Sequence, residues 1–167
     1  PKQGHPLKFF IEPVVDVINY LEASFDYEVL SMTGVSGGGW ATTVAAAVDD
    51  RIIASFPVAG TVPIYLRSGN LTDFGDWEQA VPEFLLIANY LELYILGASG
   101  RGRGQTQILN FYDSCCYSGS SANTYRAKVM SRVKKIGFGE FNLIFDRTHK
   151  EHKISSWAVD VIDDKIT

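Results

Sequence analysis

Short continuous runs of apolar residues alternate along the chain with longer stretches in which apolar residues recur every three or four positions. A continuous run bounded by turn residues is typical of a strand buried on both faces of a parallel sheet, and the longer spacing predicts amphipathic helices. The runs predict strands at 27–32, 52–59, 107–112 and 140–145. The helical spacing predicts helices at 7–25, 41–48, 78–96, 122–136 and 154–166.

The order of these elements predicts an α/β fold. Strands that alternate with helices are joined by right-handed crossovers, which produce a mostly parallel sheet with helices on both faces. The 167 residues are about one domain in length, and 46% of them are apolar, so a hydrophobic core can form. Because we find no internal repeat or linker, we expect residues 1–167 to form a single domain.

A G-x-S-x-G pattern, formed by Gly34, Ser36 and Gly38, lies between the first predicted strand and the helix that follows. A tight turn from strand to helix holds the central serine in a strained conformation with its hydroxyl exposed, as in a nucleophile elbow. We expect Gly34 and Gly38 to be required because a Cβ at either position would crowd the turn. The N–H of Gly37 is expected to form half of an oxyanion hole. A glycine-rich connection without chemistry is the alternative interpretation.

The choice of a base depends on three histidines. A serine hydroxyl becomes a good nucleophile when a neighbouring base removes its proton. His5 lies in a polar stretch at the beginning of the chain and is expected to be a bystander. His149 and His152 follow the fourth predicted strand, where an active-site loop is expected. We predict that His152 is the base because it lies directly before the last helix, and His149 remains the alternative.

The base in turn needs an acid that fixes its tautomer and stabilises its charge. Asp113 follows the third predicted strand, so its carboxylate is expected at the edge of the sheet where the other loops lie. Asp113 could instead be an ordinary turn residue, which is common at strand ends. Asp146 follows the fourth predicted strand and is the reserve choice for the acid.

A metal site is the other interpretation of the two neighbouring histidines. His149, His152 and Asp146 could bind a metal, but zinc sites usually contain three or four protein ligands and the sequence offers no convincing further ligand. We therefore expect neither a metal nor a cofactor.

The only two cysteines, Cys115 and Cys116, are adjacent. A disulfide between neighbours needs an unusual geometry, so we expect two free or separately paired thiols, and a thiol enzyme is a weak alternative.

The bulk charge narrows the range of partners. The formal net charge of -4 and the isoelectric point of 5.3 argue against a nucleic-acid-binding protein. No apolar run is long enough to span a bilayer.

A set of aromatic residues could line an apolar acyl pocket or belong to the core: Tyr65, Trp77, Phe84, Tyr90 and Tyr94.

The chain resembles the C-terminal part of an α/β-hydrolase-fold serine esterase or lipase. The resemblance rests on the elbow at 34–38, on the acid in Phe111-Tyr112-Asp113, on the base in 149–152 and on the order Ser36, Asp113, His152. It covers most of the chain. It implies a serine hydrolase that cleaves a small-molecule or lipid-like carboxylic ester through an acyl-enzyme, without a cofactor. A non-catalytic binding or structural module that retains the scaffold is the alternative.

The resemblance also implies that the N-terminal strands of the fold are lacking. The family fold has about eight strands, and the four predicted here would correspond to the last four. The second oxyanion donor of the family comes from a loop in the lacking part. The elbow strand would become an unpaired sheet edge, which favours aggregation. We expect this edge to be covered by a missing N-terminal segment or by a second copy in a homodimer, and we favour a fragment of a longer polypeptide.

Overall fold

The computed structural model of the chain describes residues 4–67 and 71–166, without the side chains at positions 71 and 72. Strands and helices alternate along it, as the apolar pattern predicts. The helices are α1 (Lys8–Ser24), α2 (Gly37–Val48), α3 (Pro82–Ile87), α4 (Tyr90–Ala98), α5 (Asn123–Ile136) and α6 (Ser156–Ile166). The strands are β1 (Ser31–Val35), β2 (Ala54–Val58), β3 (Gly104–Asn110) and β4 (Glu140–Asp146).

The four strands form one parallel sheet in the order β1-β2-β3-β4. On one face, buried side chains of α2, α4 and α5 pack against Leu109 of β3 and Leu143 of β4. On the other face, Ala158 and Ile162 of α6 pack against β2 and β3. The predicted α/β class and the parallel sheet with helices on both faces are therefore confirmed. None of the helices in the described ranges is long and apolar enough to cross a membrane.

The elbow strand lies at the edge of the sheet. Ser31 and Thr33 of β1 are exposed, whereas four of the five residues of β2 are buried. Helix α1 covers one side of β1 through a small cluster in which Ile18 packs near Met32. The order of strands confirms the predicted edge position, since no strand is paired to the outer side of β1 in the described part of the chain.

Two predicted elements differ from the observed ones in ways that affect the site. Strand β1 begins later than predicted and continues to Val35, so it runs directly into Ser36. The helix predicted at 78–96 is divided into a 3-10 turn, α3 and α4. The helix is interrupted at Asn89 because this residue caps the start of α4. The side chain of Asn89 accepts two backbone N–H groups, and the side chain of Glu92 accepts the N–H of Asn89.

Candidate active site

Ser36 occupies the turn between β1 and α2. Its backbone has φ 57° and ψ −124°, a region that residues with a side chain rarely adopt. Its N–H donates to the carbonyl of Val58 at 3.1 Å, and its carbonyl accepts from the N–H of Trp40 at 2.9 Å. Such a conformation costs about 1–3 kcal/mol and persists because the neighbouring strand and helix hold it. The residue is exposed, so the predicted elbow geometry is present.

The glycines of the elbow have unequal roles. A Cβ on Gly34 would lie 2.5 Å from the carbonyl carbon and oxygen of Gly38, so this glycine is required, as predicted. A Cβ on Gly38 would meet nothing within 4 Å, which corrects the expectation that both would crowd the turn. The tight position is Gly39 instead: its Cβ would lie 2.7 Å from the carbonyl of Val58 and 2.9 Å from the Cα of Gly60. Neither Gly39 nor Gly60 belongs to the motif, so the sequence pattern misses them.

Gly37 is the first residue of α2. The N–H groups of the first helical turn have no intrahelical acceptor and lie at the positive end of the helix dipole. The arrangement is suited to an anion beside Ser36, as an oxyanion hole requires. A Cβ on Gly37 would meet nothing within 4 Å, so there is space around this residue.

Asp113 and His152 are in direct contact. Nδ1 of His152 lies 2.8 Å from Oδ2 of Asp113, whose side chain is fully buried. The other ring nitrogen of His152, Nε2, is buried and has no hydrogen-bond partner among the described residues. No hydrogen bond joins it to Ser36 in the described part of the chain. In unliganded enzymes the contact between nucleophile and base is often longer than in the reacting complex.

The loop that positions the acid begins at Asn110. Strand β3 ends at this residue, and a turn follows. The N–H of Asp113 closes this turn by donating to the carbonyl of Asn110 at 3.1 Å. The predicted strand at 107–112 therefore extends too far. The Asn110 side chain donates to Oδ2 of Asp113 at 3.2 Å and to the carbonyls of Glu151 and Lys153 at 3.4 and 3.0 Å. It thus links the acid to both neighbours of His152. An asparagine within an otherwise apolar predicted strand is the sequence signal that could have revealed this linking residue.

The reserve pair, Asp146 and His149, is also in contact, with Nε2 of His149 3.2 Å from Oδ2 of Asp146. Besides its histidine, each of the two acids accepts three hydrogen bonds among the described residues. Its Oδ1 accepts the N–H and hydroxyl of Thr148 at 2.8 and 2.7 Å, and its Oδ2 accepts the hydroxyl of Ser155. Burial alone would raise the pKa of Asp146, but the hydrogen bonds from Ser155 and Thr148 hold it below its ordinary value.

The two pairs differ in the histidine nitrogen that they leave available. In a serine triad the acid holds Nδ1 and leaves Nε2 for the serine proton. His152 has this arrangement. His149 uses Nε2 for Asp146 and has Nδ1 3.4 Å from a carboxylate oxygen of Glu151. Ser155, which is bonded to Asp146, accepts the N–H of Ala158 in the first turn of α6. The contact of His152 with Asp113 thus matches the arrangement in a triad, and Asp146 is linked through Ser155 to the first turn of α6.

Cys115 and Cys116 form a disulfide with each other. The expectation of two free or separately paired thiols is therefore wrong, because the turn after Asp113 brings the two sulfurs together. Both backbone N–H groups donate to Oδ1 of Asp113, at 2.8 Å from Cys115 and 3.3 Å from Cys116. The same carboxylate thus holds the base through one oxygen and the disulfide turn through the other. With both sulfurs in a disulfide, neither can act as a thiolate nucleophile.

The metal-ligand atoms that come together are not those considered from the sequence. Asp146, His149 and His152 do not form a group of three close ligand atoms in the described ranges. The group that does form is Cys115, Cys116 and His152, whose ligand atoms all lie within 4.8 Å of one another.

The predicted aromatic set divides between core and surface. Tyr90 and Tyr94 are 2% and 0% exposed and belong to the main core. Burial raises the pKa of Tyr90 to about 12, since the nearby Arg67 offsets only part of the desolvation. Tyr65 and Trp77 are 58% and 54% exposed and are free to meet a ligand. Phe84 is partly buried against the core.

Comparison with known proteins extends these observations. No protein-family model matches the sequence, and no curated protein sequence matches it significantly. Solved structures do match. The glucuronoyl esterase from Solibacter usitatus aligns with 99% of this chain and 51% of its own, at 14% identity and a TM-score of 0.66. Est1E from Butyrivibrio proteoclasticus aligns with 96% of this chain and 68% of its own, at 15% identity and a TM-score of 0.60.

A peptidase matches the chain as well. The acylaminoacyl peptidase from Pyrococcus horikoshii aligns with 91% of this chain and 25% of its own, at 17% identity and a TM-score of 0.59. These neighbours are serine hydrolases that share one scaffold. Identities this low establish the fold and leave the activity to be argued from the site. The chain spans between about a quarter and two thirds of the lengths of these neighbours. The chain therefore has the α/β-hydrolase fold, of which it covers a part.

Proposed function

We propose that the protein is a serine hydrolase that cleaves carboxylic esters. Ser36 Oγ attacks the acyl carbon and passes its proton to Nε2 of His152, while Asp113 holds Nδ1. The N–H of Gly37 stabilises the oxyanion. His152 returns the proton to the leaving alcohol, which leaves an acyl-enzyme. His152 then deprotonates a water that attacks the acyl carbon, and Nε2 returns this proton to Ser36 Oγ as the bond from Oγ to the acyl carbon breaks and the carboxylic acid leaves.

The observation that supports this function is the orientation of His152. A carboxylate on Nδ1 at 2.8 Å selects the tautomer in which Nε2 accepts a proton, and Nε2 is the nitrogen without a partner among the described residues. Ser36 follows β1, Asp113 follows β3 and His152 follows β4, so all three lie at the same edge of a parallel sheet. Ligands of open α/β sheets bind outside this edge.

An apolar acyl group fits the surroundings of the elbow. An open groove of about 530 Å³ lies between the segment at 63–65 and the residues around the start of α4, and it includes Tyr65. The segment continues from Gly60, which packs directly on Gly39 of the elbow helix. The groove is therefore connected to the elbow helix through the short segment from Gly60 to Pro63. Apolar and aromatic lining with few polar groups is typical of small-molecule sites.

The alternative is a binding module that retains the scaffold. Two observations favour it: Ser36 and His152 are not hydrogen-bonded, and the chain spans only part of each solved neighbour. Covalent labelling by a fluorophosphonate separates the two functions. A serine activated by its base reacts rapidly and irreversibly, whereas a serine without an active base reacts poorly. Labelling of Ser36, located by peptide mass analysis, supports the enzyme; a labelling rate equal to that of unfolded protein supports the module.

The direct test is hydrolysis of p-nitrophenyl acetate and butyrate by the chain and by Ser36→Ala. Loss of a triad serine removes about 10⁴-fold or more of the rate. The matched control is Ser31→Ala, which removes an exposed hydroxyl from the other end of β1 and should leave the rate within about twofold. Equal hydrolysis by the wild-type protein and by Ser36→Ala would refute the proposal.

A further inference from the structure

Two cysteine sulfurs and an imidazole nitrogen meet beside the candidate acid. The ligand atoms of Cys115, Cys116 and His152 lie within 4.8 Å of one another, and all three residues are partly buried. Thiolate and imidazole are the ligands that zinc and other soft divalent cations prefer. Three protein ligands with a fourth position for water or another small ligand complete a tetrahedral zinc site.

The carboxylate of Asp113 orients all three ligands. Its Oδ2 accepts from Nδ1 of His152 at 2.8 Å, which leaves Nε2, buried and unpartnered among the described residues, as the nitrogen available to a cation. Its Oδ1 accepts the N–H groups of Cys115 and Cys116. A carboxylate behind a histidine is the usual outer partner of a metal-bound imidazole, because it fixes the ring and raises its basicity.

The disulfide controls whether the sulfurs can act as ligands. Thiolate sulfur binds zinc strongly, whereas disulfide sulfur carries no charge and binds it weakly. A thiol reductant converts the pair by exchange: two RSH are oxidised to RSSR, and the Cys115–Cys116 disulfide is reduced to two thiols. A divalent cation then displaces the two thiol protons as it binds.

We propose that Cys115, Cys116 and His152 form a redox-gated site for a thiophilic divalent cation, represented by zinc. The disulfide form leaves His152 available, and the dithiol form binds the cation through both sulfurs and the imidazole. The consequence for catalysis rests on the proposed function: a cation on Nε2 occupies the nitrogen that would accept the proton of Ser36. The same three residues thus provide an active state under oxidising conditions and an inhibited state under reducing conditions with zinc present.

The test reads cation binding directly and does not depend on activity. The chain is reduced with a phosphine, freed of it without oxygen, and titrated with Co²⁺ as a spectroscopic substitute for zinc. We expect one cobalt per chain, with a strong thiolate-to-cobalt band in the near ultraviolet that zinc abolishes. The oxidised chain should give no such band. Absence of the band in the reduced chain, or an equal band in the oxidised chain, overturns the proposal.

Variants identify the ligands. Cys116→Ser should lose most of the band. His152→Gln should keep part of the band but bind cobalt at least about 10-fold more weakly, and Asp113→Asn should weaken binding about 10- to 100-fold by loosening the ligands. His149→Gln, outside the group, is the matched control with unchanged affinity. Far-ultraviolet circular dichroism verifies that each variant is folded. Cobalt affinity that is equal in His152→Gln and the wild type would rule out this ligand set.

A second measurement separates this site from the proposed function. Zinc is added to oxidised and to reduced protein during ester hydrolysis, and a chelator follows. Inhibition confined to the reduced protein and reversed by the chelator supports the gate. Cobalt binding in a chain that hydrolyses no ester confirms the site and disproves the esterase. Hydrolysis that zinc inhibits equally in both redox states disproves the gate and leaves the esterase intact.

Discussion

Nδ1 of His152 and Oδ2 of Asp113 are 2.8 Å apart although the residues are 39 positions apart in the chain. It is one of two acid–histidine contacts at this edge of the sheet, and it is the one made through Nδ1. It also leaves Nε2 as the proton acceptor, which is the arrangement that a serine nucleophile requires. In the second pair His149 contacts Asp146 through Nε2, and the carboxylate of Asp146 also accepts hydrogen bonds from Thr148 and Ser155.

Asp113→Asn tests the assignment of the acid. An amide in this position would favour the wrong tautomer of His152, so we expect kcat for ester hydrolysis to fall about 10⁴-fold with little change in fold. The matched control is Asp146→Asn, which removes the other acid of the site. We expect that change to lower stability and to leave kcat of the folded protein within about tenfold. The opposite ranking of the two variants in kcat would transfer the role to Asp146.

Asn110→Ala tests a positioning residue that does not meet the reacting atoms. Its amide links Asp113 to the carbonyls on both sides of His152, so its loss should loosen the pair. A displacement of about 1 Å can cost about 100-fold in rate, and we expect kcat to fall by about 10- to 100-fold. Asn110→Asp keeps the shape of the side chain but removes its amide N–H donors, so we expect its kcat to be no higher than that of Asn110→Ala. Rescue of kcat by Asn110→Gln, which keeps the amide, separates positioning from a general loss of packing.

Gly34→Ala and Gly38→Ala should differ in stability although both change a glycine of the motif. The first adds a Cβ that would lie 2.5 Å from the backbone of Gly38, and overpacking of this kind costs about 1–3 kcal/mol. The second adds a Cβ in open space within a helix that favours alanine, so we expect a change within about 1 kcal/mol. Urea unfolding followed by tryptophan fluorescence measures both. Equal destabilisation would contradict the geometry of the turn.

The stability of the protein should depend on the ionisation of Asp146. Hydrogen bonds from Ser155 and Thr148 outweigh desolvation and hold the pKa of Asp146 below its ordinary value of 3.8. A carboxyl with a depressed folded-state pKa contributes stability that is present above the unfolded pKa and is lost as pH falls through the folded pKa. We expect the free energy of unfolding to fall below about pH 4, and to fall less steeply in Asp146→Asn. Parallel pH profiles for the two proteins would count against this account.

The exposed edge of β1 predicts self-association of the chain when it is studied alone. Apolar residues of α1 and β1, including Val17 and Met32, line an open groove beside this edge. We propose that a second copy of the chain covers this edge when the chain is studied alone. Sedimentation should show concentration-dependent dimers, which Val17→Glu disperses. Val159→Glu, at a similarly exposed position of α6, is the matched control. A monomer at all concentrations, with β1 protected from hydrogen exchange, would exclude this association.

Patterns among neighbouring residues of the sequence were sufficient to predict much of the fold of this protein. Continuous apolar runs, 3.6-residue spacing and the G-x-S-x-G pattern depend on neighbours in the chain, and they were sufficient for the α/β class, the parallel sheet and the elbow at Ser36. The position of each polar candidate after a strand was also a local property. Parallel strands then bring Ser36, Asp113 and His152 to one edge, because the carboxyl ends of such strands all point the same way.

Only the tertiary structure decided which of these groups touch. The register of β3 against β4 and the turn at Asn110 place Asp113 on His152 rather than on His149, and no pattern in the sequence encodes that distance. The close packing of Gly39 on Gly60 and the disulfide beside His152 are decided in the same way. Chain neighbours set the local conformation, whereas contacts between loops depend on how the whole sheet aligns its strands.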